Sequence, residues 1–335
     1  MKSRILVTGG AGFIGSHLVD WLVAREQAVT VLDDFSTGSR GNLLAAMQKG
    51  DVRIVEGSIL DQQAIEEAMR DCELVYHLAV QCVRRSLGAP LHNHAVNATG
   101  TLNVLEVARQ QRVKRFLYCS SSEVYGNSST ARLTEDTLCQ PTTVYGAAKL
   151  AGEYYTLAYQ RTYGLPITVV RPFNAYGPRE HDQGDLAEVI PRFVIRILNG
   201  LPPIIFGNGL QGRDFTYVTE IAKGIGMAGL AEATTGRVVN MAYGQMITIR
   251  EVARIIAEQI GRADLQPQFV DERPGDVLAL HADTGLAKEL LAYRAEIAFA
   301  EGVGRYLHWF KESYADPSLL LEESYINWQM PPKAG

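Results

Sequence analysis

The sequence is poor in cysteine: Cys72, Cys82, Cys119 and Cys139 are all it has, and no two stand in a C-x-x-C spacing. A reduced, cytoplasmic protein with the cysteines as small core residues is expected, and no metal ligand set. No block of Lys and Arg appears, and the net charge is −5. That speaks against nucleic acid and anionic membrane partners. No apolar run is long enough to span a bilayer, and the opening "MKSRILVTGG" has no signal-peptide h-region. Low-complexity tracts and internal repeats are also missing.

What is present is a large apolar fraction, 47% of 335 residues, enough for a sizeable core. The first half alternates short apolar runs with helical stretches. Strands are expected at 4–9, 28–34, 52–57, 74–79, 115–121 and 167–174, and helices at 13–25, 62–70, 94–110 and 143–163. Most of the runs are continuous rather than alternating, as in strands buried on both faces of a parallel sheet. The β-α-β-α order implies right-handed crossovers and an α/β, Rossmann-type doubly wound parallel sheet. After residue 178 the polar loop "REHDQGDLAE" (179–188) opens a stretch of shorter elements. The expected division is a nucleotide-binding domain 1–178, a smaller C-terminal α/β substrate lobe 179–315 and a tail 316–335.

"VTGGAGFIGSHL" spaces Gly9, Gly12 and Gly15 by three between a strand and an amphipathic helix. Gly9 permits a tight turn, Gly12 lets backbone approach a pyrophosphate at the helix N-terminus, and Gly15 lets helix and strand pack closely. The alternative is a glycine-rich turn with no ligand. Asp33 ends the second strand, where a carboxylate accepts ribose hydroxyls and repels a 2′-phosphate, favouring NAD over NADP. Asp34 is its rival. Ser36, Thr37 and Gly38 follow in the same loop, and Arg40 keeps NADP open.

"YGAAK" puts Tyr145 and Lys149 on one helix face. A phenol is a poor base at neutral pH. A neighbouring ammonium and a positively charged nicotinamide favour its phenolate, which then accepts the proton of a sugar hydroxyl. Gly146, Ala147 and Ala148 are expected to keep the surface low for a flat cofactor. About twenty residues earlier, in "SSSE", Ser121 is placed to hold the same hydroxyl, the alternative being a strand-end cap.

In this order, "TGGAGFIG", the strand-end serines, "YGAAK", "RPFNAYGPR", "VIPRF" and "GRDFTYV" resemble the extended short-chain dehydrogenase/reductase family, in its nucleotide-sugar epimerase/dehydratase group. The resemblance spans residues 1 to 312. It implies tightly held NAD, a nucleotide-diphosphate-sugar substrate and oxidation at sugar C4, with Ser121, Tyr145 and Lys149 as hydroxyl, base and support. It also implies a homodimer through the helices near 94–110 and 143–163. The cofactor contacts expected on this basis add Phe13, Ile14, Ser58, Ile59, Leu78, Ala79 and Phe173. Ser58 stands where the family usually has an aspartate for the adenine. The expected substrate contacts are Arg84, Asn174, Val189, Arg213, Arg273 and Asp276. For Arg213 and Arg273 the alternative is ion pairing with Asp214 and Glu272. Arg85, His181 and Glu188 are further candidates, and His77 is taken as structural.

Three reactions diverge after C4 oxidation. Simple epimerases of the group resemble "SSSAVYG", while dehydratases and decarboxylases carry Glu at the position of Glu123. A dehydratase-like path, with Glu123 as the C5 base, is therefore put first. Against it stands Ser122, where the best-known dehydratases have an aspartate. A UDP-sugar 4-epimerase is second and a UDP-glucuronate decarboxylase third. An NAD-sensing binding module is the non-enzyme alternative, and the joint presence of Ser121, Tyr145 and Lys149 argues against it.

Overall fold

The computed structural model describes residues 4–328. The last part of the expected tail, from 329 on, lies outside the described residues. Six apolar runs become strands: β1 (Arg4–Thr8), β2 (Ala28–Asp33), β3 (Val52–Glu56), β4 (Cys72–His77), β5 (Arg115–Cys119) and β6 (Ile167–Pro172). With Val238–Met241 they form a 7-stranded sheet in the order Val238–Met241, β6, β5, β4, β1, β2, β3. Every pairing in it is parallel. The order reverses between β1 and β4. Chain leaving the two strands there turns to opposite sides and opens a crevice at their carboxyl ends.

Both faces of the sheet are covered, and β2 and β6 are buried along their whole length. Alternate side chains of β1 enter different layers. Val7 packs with the helices Phe13–Val23 and Val218–Leu230. Leu6 packs with Gln62–Met69, Thr101–Gln110 and Val144–Tyr163. Each such side chain, shut from water, contributes about 2 kcal/mol of hydrophobic stabilisation. His77 bridges the Thr8 and Thr101 hydroxyls at 2.7 and 3.0 Å, and burial pushes it down to about 3. It is a neutral strut of the core.

A second cluster of buried side chains lies in the C-terminal half. The helices Val189–Leu198, Ile249–Ile260 and Phe299–Ser313 share it with the strand Ile204–Phe206. Between residues 218 and 241, however, the chain returns to the large sheet. It supplies that sheet's covering helix and its seventh strand.

Candidate active site

The cleft at the strand ends is a cavity of about 300 Å³. At its cofactor end β1 gives way to Gly9, at φ +67°, a left-handed turn. A Cβ on Gly15 would lie 2.1 Å from the Gly9 carbonyl oxygen, so the helix reaches the strand only because Gly15 has no side chain. No side chain caps the N-terminus of helix Phe13–Val23. Gly12, Phe13, Ile14 and Gly15 line the cleft there, so free backbone N–H groups border it.

Asp33 also lines the cleft and is buried. Its two oxygens accept the N–H groups of Ala11 (2.8 Å) and Phe35 (2.9 Å). Burial pushes the carboxyl up, and the two hydrogen bonds pull it back. Its remaining lone pairs can take ribose hydroxyls. Asp34 also lines the cleft, and one of its oxygens accepts the Ser36 N–H and hydroxyl at 3.0 and 2.6 Å. Ser36 and Thr37 border the cleft, whereas Gly38 packs on the Ala11 backbone behind it. Arg40 is exposed, paired with Glu56 and stacked on Phe35. Ser58, Ile59, Leu78, Ala79 and Phe173 complete this part of the lining. Uncapped helix, small turn residues and a carboxylate at the end of β2 fit a dinucleotide, with the pyrophosphate on the helix and a ribose on Asp33.

At the other end, β5 runs out into Ser120, Ser121 and Ser122, all buried and all on the cleft. Ser121 caps the strand-end backbone and also reaches Tyr145. Its hydroxyl accepts the Glu123 N–H at 3.2 Å, capping a short turn, and hydrogen-bonds the Tyr145 phenol. Thr143 caps the helix Val144–Tyr163 by accepting the Gly146 N–H at 3.0 Å, which aims Tyr145 from the first turn. Lys149 follows one turn on, buried. Its ammonium donates to the Cys119 carbonyl at 2.6 Å and sits 4.4 Å from the centre of the Tyr118 ring. Burial lowers it to about 8. Burial also pushes the Tyr145 phenol up, with the Ser121 bond opposing and the Glu123 charge adding to the rise.

The low helix surface is a correction. Gly146 packs against the Glu123 carbonyl and Pro141, Ala148 is buried and Ala147 is exposed. None of the three lies on the cleft, because the helix turns its Tyr145 and Lys149 edge toward it.

Glu123 borders the cleft, half-buried. Burial pushes its carboxyl up, against the pull of Arg213 and Arg273. Those two arginines do not pair with Asp214 and Glu272. Both grip one oxygen of Asp276, at 2.6 and 2.8 Å, while Asp214 accepts the Gly244 N–H. Arg213, Arg273 and Asp276 thus form one group facing Glu123 from behind the lining. Asn174 is on the lining, its side-chain oxygen shielded from solvent and without a partner among the described residues. Arg84 is buried off the lining and clamps Glu188 through two bonds of 2.8 and 3.0 Å. Val189 begins the next helix, also off the lining.

His181 and Glu188 do reach the cleft, and His181 approaches the Thr37 carbonyl at 3.3 Å. The lining also takes in Gln81, Cys82, Ser120 and Pro172, which were not singled out in the sequence. Each sits just beyond the carboxyl end of β4, β5 or β6, or at the end itself. The strand-end rule was the available signal.

The pattern of the NAD dependent epimerase/dehydratase family matches residues 5–242. UDP-glucose 4-epimerase of Mycolicibacterium smegmatis is 35% identical over 92% of this chain and 98% of its own length. dTDP-glucose 4,6-dehydratase of Actinoplanes sp. is 33% identical over 92% and 98%. The structure of Thermus thermophilus UDP-glucose 4-epimerase in complex with NAD superposes with a TM-score of 0.85 at 32% identity, covering 93% of this chain and all of that one.

Proposed function

The chain belongs to the NAD dependent epimerase/dehydratase family, and from that premise we propose that it works on a nucleotide-diphosphate sugar by oxidising C4 and then removing the C5 proton, a 4,6-dehydratase-like path. That it is an NAD-dependent nucleotide-sugar enzyme follows from the family. The dehydratase-like step rests on one observation: a carboxyl group, Glu123, stands on the same cleft as Tyr145, close enough for its charge to raise the phenol.

Tyr145 takes the proton of the C4 hydroxyl, and Ser121, already hydrogen-bonded to the phenol, holds that hydroxyl in line. NAD, held by the Gly9–Gly15 turn and Asp33, would supply the acceptor for the C4 hydride and give it back to C6 once water has left, C5 regaining a proton from solvent by way of Glu123. The Lys149 ammonium, one turn along the same helix, is the cation this chain offers the phenolate. Once C4 is a carbonyl the C5 proton is acidic, and Glu123 receives it. A carboxyl pushed up by burial is a stronger base than an exposed one. The same group can then give the proton to the departing C6 hydroxyl, which leaves as water. Arg213 and Arg273, expected on the diphosphate, stand behind the lining on Asp276 and bear on the site through the charge they set beside Glu123.

Ser122 favours a second reading, a 4-epimerase. It lines the cleft at the sequence position where the dehydratases this chain resembles carry an aspartate acid. Incubation with UDP-, dTDP- and GDP-sugars in heavy water, followed by NMR, decides between them. Deuterium at C5 with a 6-deoxy-4-keto product is the expected result. Inverted C4 without C5 label establishes the epimerase instead, and released carbon dioxide a decarboxylase.

The proposal extends to a homodimer through the helices Thr101–Gln110 and Val144–Tyr163, supported by exposed Val144, Tyr154 and Tyr155 on the second of them. It also places the chain in the reducing cytoplasm, since its four cysteines are free. Among the described residues no helix is long and apolar enough to cross a membrane.

A further inference from the structure

The family motifs end near residue 312, yet the chain continues in a definite course. The relatives described above, matched over 98% of their own lengths, cover only 92% of this chain. Residues 314–328 run back across the helix Val189–Leu198 toward the polar loop 179–188. The Tyr314 hydroxyl hydrogen-bonds Asp182. Pro317 and Tyr325 offer their carbonyls to Asn199 (3.1 Å) and Arg192 (2.5 Å). The Glu322 carboxylate accepts the Gly184 N–H, and Asn327, 9% exposed, donates to the Ala187 carbonyl at 2.9 Å. Trp328 ends the course edge-on against Phe206, ring centres 4.9 Å apart.

The other side of the same loop is gripped by Arg84 and Arg85 of the short helix Val83–Gly88. Arg84 donates to the carbonyls of Asp185 (2.8 Å) and Leu186 and to both oxygens of Glu188. Arg85 holds the Asp185 carboxylate at 2.9 Å. Of the five consecutive residues 184 to 188, the last described segment therefore fixes 184 and 187, and the 84–85 pair fixes 185, 186 and 188. A loop with short polar residues and no strand pairing has little stability of its own. Its two borders with the cleft, His181 and Glu188, inherit their positions from these contacts.

We propose that residues 314–328 are a positioning strap, and that Glu322 and Asn327 are positioning residues. Through the backbone of residues 184–187 they hold Glu188, its Arg84 partner and His181 at the mouth of the nucleotide-sugar cleft. The inference that substrate binding depends on them rests on the nucleotide-sugar reading above. The ordering of the loop does not.

The test compares the full-length protein with Glu322→Ala, Asn327→Ala and Glu322→Gln. Hydrogen exchange of the peptide carrying residues 180–190 is expected to speed up about fivefold in either alanine variant, the effect of losing one ordinary hydrogen bond. Glu322→Gln keeps an acceptor oxygen and is expected to restore slow exchange. Exchange of the Gly9–Gly15 peptide and retention of NAD should not change. With whichever sugar nucleotide the panel shows to be turned over, KM should rise about fivefold in the alanine variants while kcat stays within about twofold. Unchanged loop exchange overturns the strap. So does a loss spread over all peptides, which would mark a merely structural role, and so does faster loop exchange with an unchanged KM. If no sugar in the panel reacts, the function reading falls, and exchange alone still decides the strap.

Discussion

At the residue scale the surroundings of Tyr145, Lys149 and Glu123 on the cleft pull these groups from their ordinary values, and the differences bear on function. Tyr145 is the one phenol among the described lining residues, and Ser121 and Ser122 are hydroxyls of much higher pKa. Tyr145→Phe should therefore leave the fold and bound NAD intact and lower turnover by about a thousandfold or more, the usual worth of a placed acid–base group. Steady-state rates on the reacting sugar nucleotide check this, and a variant within tenfold of wild type would remove Tyr145 from the chemistry.

Lys149 carries a pH signature. Its ammonium, ordinarily at 10.5, is lowered to about 8 by burial. Between those values the unfolded chain binds a proton that the folded one does not, so stability from this group rises with pH across that window and is lost as pH falls through 8. The span corresponds to about 3 kcal/mol. Relative to Lys149→Met, the wild type should gain about 1.4 kcal/mol per pH unit from pH 8 to 10 in urea unfolding. Parallel profiles would mean that the ammonium is not desolvated in the folded protein.

At the element scale, the join between β1 and the helix Phe13–Val23 depends on a missing side chain. Gly15→Ala puts a methyl group 2.1 Å from a backbone oxygen, where nothing flexible can yield. The helix must withdraw, at a cost of about 2 kcal/mol, and the N–H groups it aims into the cleft move with it. The variant should purify with a lower Tm and without NAD, which calorimetry and cofactor absorbance measure together. The element pattern here was plain in the sequence: most of β1 to β6 are continuous apolar runs, as strands buried on both faces are, while β3 at the sheet edge carries Arg53 and Glu56. What the sequence hid was long-range. Val238–Met241 is four residues long and looks like any small-lobe strand until it pairs with β6 from Val238 against Val169 onward. The helix Val218–Leu230 escaped notice because Gly224, Gly226 and Gly229 weaken its propensity and because it is buried on most sides, which blurs the 3.6-residue period. The 94–110 stretch read as one helix, but a π segment, Ala95–Gly100, interrupts it. At the site, "GRD" and "ERPGD" suggested local ion pairs, yet Arg213 found Asp276, 63 residues away. Motif residues were legible because their roles are local. Their partners depend on the closed fold.

At the scale of the whole molecule, one surface remains to be accounted for. Helix Val144–Tyr163 buries Ala148, Gly152, Thr156 and Tyr159 against its own chain. Its outer side carries Val144, Tyr154 (63% exposed) and Tyr155, and Leu91 lies exposed (84%) at the start of the neighbouring helical stretch. Amphipathic aromatic side chains outside a closed core favour a partner surface. The sides of two adjacent helices from each of two copies would close as a four-helix interface, isologous about a two-fold axis, so each substitution enters the contact twice. Light scattering should give about twice the 36.8 kDa of the chain. Tyr154→Glu with Tyr155→Glu, which sets charges where the second copy would pack, should shift the mass to that of one chain. Tyr145 projects from the first turn of the same helix, so a slackened interface reaches the cleft through the helix N-terminus. The dissociated variant should keep its NAD and lose part of its turnover. Wild type running as a monomer, or the double variant remaining a dimer, would place the contact elsewhere.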